Sequence, residues 1–298
     1  MLTTKFANNT FADIKLKSTL LLCCCGPDGE AHNNFRWTLN VGAVAEVAQW
    51  DASTASCNGL FGWVHGWGNI FRGNPNQISN GKWLVVEAAT SDIVDVGGHC
   101  KFPRATVRFV GSMHDAATFL IANEPAALPG TVIGASVIAG DVGTATVSHK
   151  GLAIAGRYGN ATAGNYGSAS VGEYGSAIAG DFGLACASNF GRAKAKDLAL
   201  AVAGNGGAAE TGLLGTAVAG DNGLARTGVE GVAIAGVLGR ASASQLGVLQ
   251  IKWYDYQHLR NRIAIAYVGE GGILPNVIYR LDSKGRFVVD EDFLSEAQ

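Results

Sequence analysis

Between Ala135 and Leu246 one pattern of small, apolar and polar positions recurs every eight residues, fourteen times without a gap. The stretch from Gly151 reads GLAIAGRY, GNATAGNY, GSASVGEY, GSAIAGDF, GLACASNF. Position 1 is Gly in twelve octads and Ala in two (Ala135 and Ala199), and position 3 is Ala in all but one, where Val137 stands. Position 5 is Ala, Val or Thr, position 6 is Gly in ten octads, and position 7 is mostly polar. Positions 1, 3 and 5 fall on one face of a strand. That face is Gly-Ala-Ala and permits a second layer to approach closely. Gly at position 6 before Asp or Asn is expected to supply a positive-φ turn. A helix is excluded, since each interior glycine would cost it about 1 kcal/mol. A short unbroken period means identical increments stacked on one another.

A slower alternation runs through the outward positions. At position 4, alternate octads carry Ile138, Ile154, Ser170, Cys186, Val202, Val218 and Ile234, and the intervening ones Thr146, Thr162, Ile178, Lys194, Glu210, Arg226 and Ser242. Position 2 follows, with Leu152, Leu184, Leu200 and Val232 against Asn160, Ser176, Arg192 and Arg240, although Ser170, Ile178 and Leu224 depart from the rule. The structural unit is therefore sixteen residues, two octads per coil. The pattern predicts a mainly β chain: a β-solenoid of seven coils, on the order of 34 Å long at the ~4.8 Å strand spacing. Position 8 holds Tyr158, Tyr166, Tyr174, Phe182, Phe190 and Leu198, which would form ladders along the edges. Leu152, Ile154, Leu184, Leu200, Val202, Val218, Val232 and Ile234 would form a flat apolar face that a monomer avoids exposing. A homo-oligomer, dimer or trimer, is the expected resolution; the other is that the N-terminal domain folds back over the face. A trimeric intertwined β-prism is the alternative topology. The alternation speaks against it, because all octads would then be equivalent.

The flanks read differently. Residues 1–126 form an N-terminal α+β domain, 135–246 the solenoid and 247–298 a C-terminal β cap. The first segment holds five of the six tryptophans and five of the six cysteines. Ser18–Cys25, Lys82–Glu87, Asp92–Val96 and Ala105–Phe109 read as strands, and Ser112–Asn123 as a helix capped by Ser112 with Asp115 three residues on. Leu249–Trp253, Arg262–Val268 and Val277–Leu281 read as strands that cap the last coil, with turns at Gly271-Gly272 and Asp282–Gly285.

Composition sharpens this picture. Forty-two glycines with six prolines in 298 residues exclude collagen, and 48% hydrophobic residues exclude a disordered chain. Twenty-two of those glycines sit at positions 1 and 6 of the octads. A net charge of −2 gives no footprint for nucleic acid. No apolar run is long enough to span a membrane, and no signal peptide is apparent. Three of the six cysteines are consecutive (Cys23, Cys24, Cys25), which favours a reduced compartment over a disulfide scaffold.

Candidate chemistry is sparse. Cys23, Cys25, His32, Cys57, His65, His99 and Cys100 could be gathered as metal ligands, but no CxxC pair or zinc-like spacing exists, so neither metal nor cofactor is expected. His65, between Trp63 and Trp67 in a glycine-rich loop, is the best candidate ligand site, since tryptophans stack on sugars and bases. The array glycines do not form a phosphate-cradling loop, because none follows a strand into a helix. No catalytic residue stands out.

Four separated runs, GPDGEAHNNFRW (Gly26–Trp37), CNGLFGWVHGWG (Cys57–Gly68), KWLVVE (Lys82–Glu87) and CKFPRATVRFVG (Cys100–Gly111), resemble an uncharacterised phage and bacterial family. Its members join such a domain to a Gly-Ala octad array and close with a segment similar to Gly247–Val288. The resemblance implies architecture, and a bacterial cytoplasm or phage particle as location, without implying a reaction. Where this chain has Gly59-Leu60-Phe61, relatives usually carry Gly-Leu-His, an element also met in folds distantly like ADP-ribosyl-transferring domains. Phe61 can neither donate nor accept a proton. The octads also resemble those of bacterial ice-nucleation proteins, whose exposed strands carry ranks of Thr-x-Thr. Here only Thr144-Ala145-Thr146 fits, so that activity is not expected. The leading expectation is a non-enzymatic structural or interaction protein with itself, or other phage or host proteins, as partner. The alternative is a nucleotide- or glycan-binding or ADP-ribosyl-related enzyme centred on Trp63–Trp67.

Overall fold

The structure is a computed structural model that describes residues 18–31, 35–55 and 58–291. The chain divides into two compact units, Met1–Glu124 and Pro125–Gln298.

The first unit is an antiparallel sheet of β1 (Ser18–Cys25), β2 (Val44–Glu46), β3 (Leu60–Val64), β4 (Lys82–Ala89), β5 (Val94–Asp95), β6 (Cys100–Phe102) and β7 (Arg104–Gly111). Its order is β2-β7-β4-β1-β3-β6-β5. The apolar run of β1 lies at the centre of the sheet, where Leu22 pairs with Trp63 at one edge and Val85 at the other, and both faces are covered, since the successive residues Leu21 and Leu22 are fully buried. Two short helices complete the unit, α1 (Pro75–Asn80) and the longer α2 (Met113–Asn123). The α2 cap forms as its sequence predicts: Ser112 Oγ accepts the Asp115 N–H at 3.2 Å. The helix buries Ala116, Ala117 and Leu120. Two local expectations need correction. The run containing Trp63 is not a loop but strand β3, and the strand expected over Asp92–Val96 shrinks to Val94–Asp95 after a 3-10 turn at Thr90–Asp92.

The second unit is the solenoid, with sixteen residues per coil. Each octad contributes one strand of three or four residues, from Ser136–Ile138 to Arg240–Ala243. Each strand pairs in parallel with the one sixteen residues on in the same chain, so Leu184 lies beside Leu200 and Ala185 beside Ala201. This is a single-chain solenoid, not an intertwined prism. Alternate octads build two sheets facing each other across a core that is almost all alanine. After the last coil the first sheet gains Val248–Asp255 and the antiparallel Arg260–Tyr267. The second gains Tyr279–Leu281 and Phe287–Val289.

The turns correct the expected role of glycine. The position-6 glycines do not adopt positive φ. Position 8 does so in every octad, with φ of 54–59° at Lys150, Tyr158, Phe190, Leu246 and their counterparts and 66° at Gly206. A left-handed side chain costs roughly 1–2 kcal/mol. Two contacts offset it. The position-8 N–H donates to the position-7 carbonyl of the next coil, as in Tyr158 to Glu173 at 2.8 Å. The aromatic rings also stack from coil to coil, Tyr158 on Tyr174 at 5.1 Å and Tyr174 on Phe190 at 5.2 Å. The glycines answer a different demand, which is space. A Cβ on Gly151 would lie 2.6 Å from Val147 Cβ, and one on Gly156 would lie 2.6 Å from the Asp141 nitrogen of the coil before.

Candidate functional site

The outward residues of the first solenoid sheet form one surface. Along the first seven strands these are Ser136, Ile138, Leu152, Ile154, Ser168, Ser170, Leu184, Cys186, Leu200, Val202, Thr216, Val218, Val232 and Ile234, and none is charged. All eight residues of the sequence-predicted face, Leu152, Ile154, Leu184, Leu200, Val202, Val218, Val232 and Ile234, therefore lie on this sheet. Their ranks follow from parallel register: Cys186, Val202, Val218 and Ile234 are consecutive neighbours across four strands. The opposite sheet carries Arg192, Lys194, Glu210, Arg226 and Arg240 outward, and Lys194 pairs with Glu210 at 2.8 Å.

Three further residues continue this face beyond the solenoid strands, where it carries one charge, Lys252. Val232 pairs with Val248, which pairs with Tyr267, while Ile265 and Ile263 lie opposite Gln250 and Lys252. Ile263 is 64% exposed, and Ile265 and Tyr267 are also exposed. Sequence reasoning assigned Arg262–Val268 to the cap. The alternation Ile263-Ala264-Ile265-Ala266-Tyr267 carries the signal that its large residues share one face, but only the pairing with Val248–Asp255 joins that face to the solenoid.

Within the first unit the structure separates the three residues of the Trp63–Trp67 run. Trp63 is buried on β3, stacks on Trp83 at 5.9 Å and donates its indole N–H to the Asn69 carbonyl at 3.3 Å. His65 follows the strand with φ 53°, which turns its ring to Thr19 Oγ1 at 2.9 Å. Thr19 donates in turn to the buried Glu124 carboxylate at 3.0 Å. Trp67 is 70% exposed. Trp63 lines a cavity of about 460 Å³; His65 and Trp67 do not.

Cys23, Cys25 and Cys100 are buried, while His32 and Cys57 lie outside the described residues. Burial pushes the Cys25 thiol up to about 11 and the Cys100 thiol up to about 12, which keeps both neutral and inert. Among the described residues, no three His, Cys, Asp or Glu side chains cluster to hold an ion. No described helix is long and apolar enough to cross a membrane.

A solenoid of sixteen-residue coils with one neutral and one charged sheet is the architecture of a repeat protein. Similarity to known proteins points the same way. Residues 191–245, within the array, match a family described as "Domain of unknown function (DUF4774)". Over 112 residues the chain is 31% identical to an ice nucleation protein of Xanthomonas campestris pv. translucens, covering 37% of this chain and 7% of that protein. The chain thus spans only a small part of this relative's length. No solved structure matches.

Proposed function

We propose that the chain is a structural assembly module whose uncharged solenoid sheet binds the same sheet of a second copy. One observation carries the reading: fourteen outward positions on one sheet without a charge, against a charged sheet on the other side of the same coils. An apolar sheet of this extent is unfavourable in water, and a self-complementary neutral face is what an isologous contact requires. The nine-stranded sheet, whose outward face carries one charge at Lys252 beyond the solenoid strands, offers ~43 Å by ~12 Å, about 500 Å² per copy, from the ~4.8 Å strand spacing and ~3.3 Å rise. Two copies would bury about 1,000 Å², at the lower edge of what a specific interface needs. The association would therefore be of moderate strength and sensitive to one charge. We extend the reading to a phage or bacterial setting because the four flanking runs resemble a family of that origin.

Light scattering on the full chain tests this. A dimer at tens of micromolar, converted to monomer by Ile154→Lys with Val202→Lys while the circular dichroism stays unchanged, is the expected result. A wild-type monomer, or an oligomer indifferent to both lysines, would sink the reading.

A further inference from the structure

The cavity in the first unit has a composition that assembly does not explain. Its walls include Phe35, Trp37, Phe61 and Trp63, and its volume of about 460 Å³ falls within the ~300–1,000 Å³ usual for small-molecule sites. Trp37 and Trp63 are buried, Phe35 and Phe61 are half-buried, and Phe61 leans on the His99 ring at 5.6 Å. Part of the wall is kept open by Gly73, where a Cβ would sit 3.1 Å from the Trp63 ring. Such a chamber favours a flat ring, because aromatic side chains gain both buried area and stacking from it.

One lining residue carries a fixed charge. Arg72 ends a single 3-10 turn, Ile70–Arg72, whose start is held by Asn69 Oδ1 accepting the Phe71 N–H at 3.0 Å. Its side chain is exposed at the rim and makes neither a hydrogen bond nor an ion pair with any described residue. Elsewhere the pattern is different: Arg36, Arg104 and Arg108 in the same unit are each paired with a glutamate. Asn74 lies beside Arg72 on the rim; its Oδ1 accepts the Asn76 N–H, which leaves its amide N–H groups free to donate. A guanidinium and an amide over an aromatic chamber match one group well, a carboxylate or phosphate attached to a ring.

We propose that this cavity binds a flat aromatic molecule bearing one anionic group, its ring against Trp37, Phe61 and Trp63 and its anion on Arg72. The proposal is independent of self-association, since the residues all belong to the first unit.

Calorimetric titration of the full chain with two acids and their neutral counterparts tests it: AMP against adenosine, and indole-3-acetate against indole. At least one acid should bind, more tightly than its counterpart, and quench tryptophan fluorescence. Arg72→Ala should weaken that acid about tenfold, the size of one charge-assisted hydrogen bond, and leave the neutral compound unchanged. Phe61→Ala should weaken both. Binding of AMP alone assigns a phosphate, and of indole-3-acetate alone a carboxylate; either supports the proposal. It is overturned if neither acid binds, if neither acid binds more tightly than its neutral counterpart, or if binding survives both substitutions.

Discussion

Asn205 Oδ1 accepts the backbone N–H of Asp221, sixteen residues on, at 2.9 Å. The same bond recurs along both turn edges, from Asp141 to Arg157, from Asn165 to Asp181 and from Asp221 to Val237. Each Asp or Asn at position 7 thus satisfies a turn amide of the next coil that neither sheet can reach. Asn205→Ala should lower the stability of the repeat unit by about 0.5–1.5 kcal/mol, the net value of such a bond. Urea unfolding monitored by circular dichroism would show it. Asn205→Asp, which keeps the acceptor, should stay near wild type; equal losses in both variants would mean that the bond contributes nothing.

At Gly236, a position-6 residue, the same geometry leaves no room for a side chain. A Cβ at Gly236 would stand 2.5 Å from the Asp221 nitrogen and 2.6 Å from the Gly220 carbonyl carbon, both backbone atoms that cannot move aside. Gly236→Ala should therefore cost on the order of 1–3 kcal/mol, as overpacking does. Gly140 occupies the same position in the first coil and has no atom within 4 Å of its hypothetical Cβ. Gly140→Ala should be neutral or stabilising by up to about 1 kcal/mol, because it restricts the unfolded chain. The pair, measured side by side, separates steric need from turn conformation.

The octad register was legible because every coil repeats the same steric demands at positions 1, 3 and 5, and the sixteen-residue unit because only one sheet avoids charge. The turn was misread for a physical reason. Its left-handed residue is held by the coil-to-coil backbone bond whatever its side chain, so Tyr158, Lys150 and Leu238 occupy it alike. Strand β3 was hidden by Gly62, which weakens any strand signal; there a Cβ would meet Cys23 Sγ at 2.6 Å. Trp63, His65 and Trp67 looked like one site because they share one glycine-rich run, but Trp63 is buried on β3 and the chain turns at His65. Arg72 and the cavity it borders left no local signal, since their parts come from distant segments.

Position 8 yields a further expectation. Leu238 holds φ 57° with its side chain exposed, so it bears the left-handed strain without burial in return. Leu238→Asn should hold or raise the thermal midpoint, because Asn tolerates this region best among non-glycine residues. Leu238→Val should lower it, since branching at Cβ worsens the clash. Identical midpoints for Asn and Val would show that the turn imposes no strain.

Cys100 gives a pH dependence at the alkaline end. Burial is the main cause of its rise from 9.0 to about 12. Below the unfolded value both states keep the proton, and its contribution is fully present. Above pH 9 the unfolded chain ionises while the folded one does not, so stability is lost progressively up to about pH 12. Cys100→Ala should flatten that part of the profile in urea titrations between pH 8 and 10.5. Native Cys100 should also resist iodoacetamide at pH 8, with mass spectrometry showing modification only after denaturation.

Asp255 gives the opposite sign. It closes the hairpin between Val248–Asp255 and Arg260–Tyr267, the last strand of the first solenoid sheet. Burial alone would raise its pKa. Hydrogen bonds from the His258 ring and N–H and from the Gln257 N–H, with the Arg262 guanidinium, whose Nε lies at 2.6 Å, outweigh burial and hold the carboxyl at about 2. An unfolded aspartate titrates near ~3.9. The stability Asp255 contributes is therefore present above that value and lost as pH falls through about 2. Hydrogen exchange on the Arg260–Tyr267 amides should accelerate over this window in the wild type. Asp255→Asn should show faster exchange at neutral pH and no added acceleration on acidification. If wild type and variant accelerate in parallel, acid opening of the hairpin has its origin elsewhere.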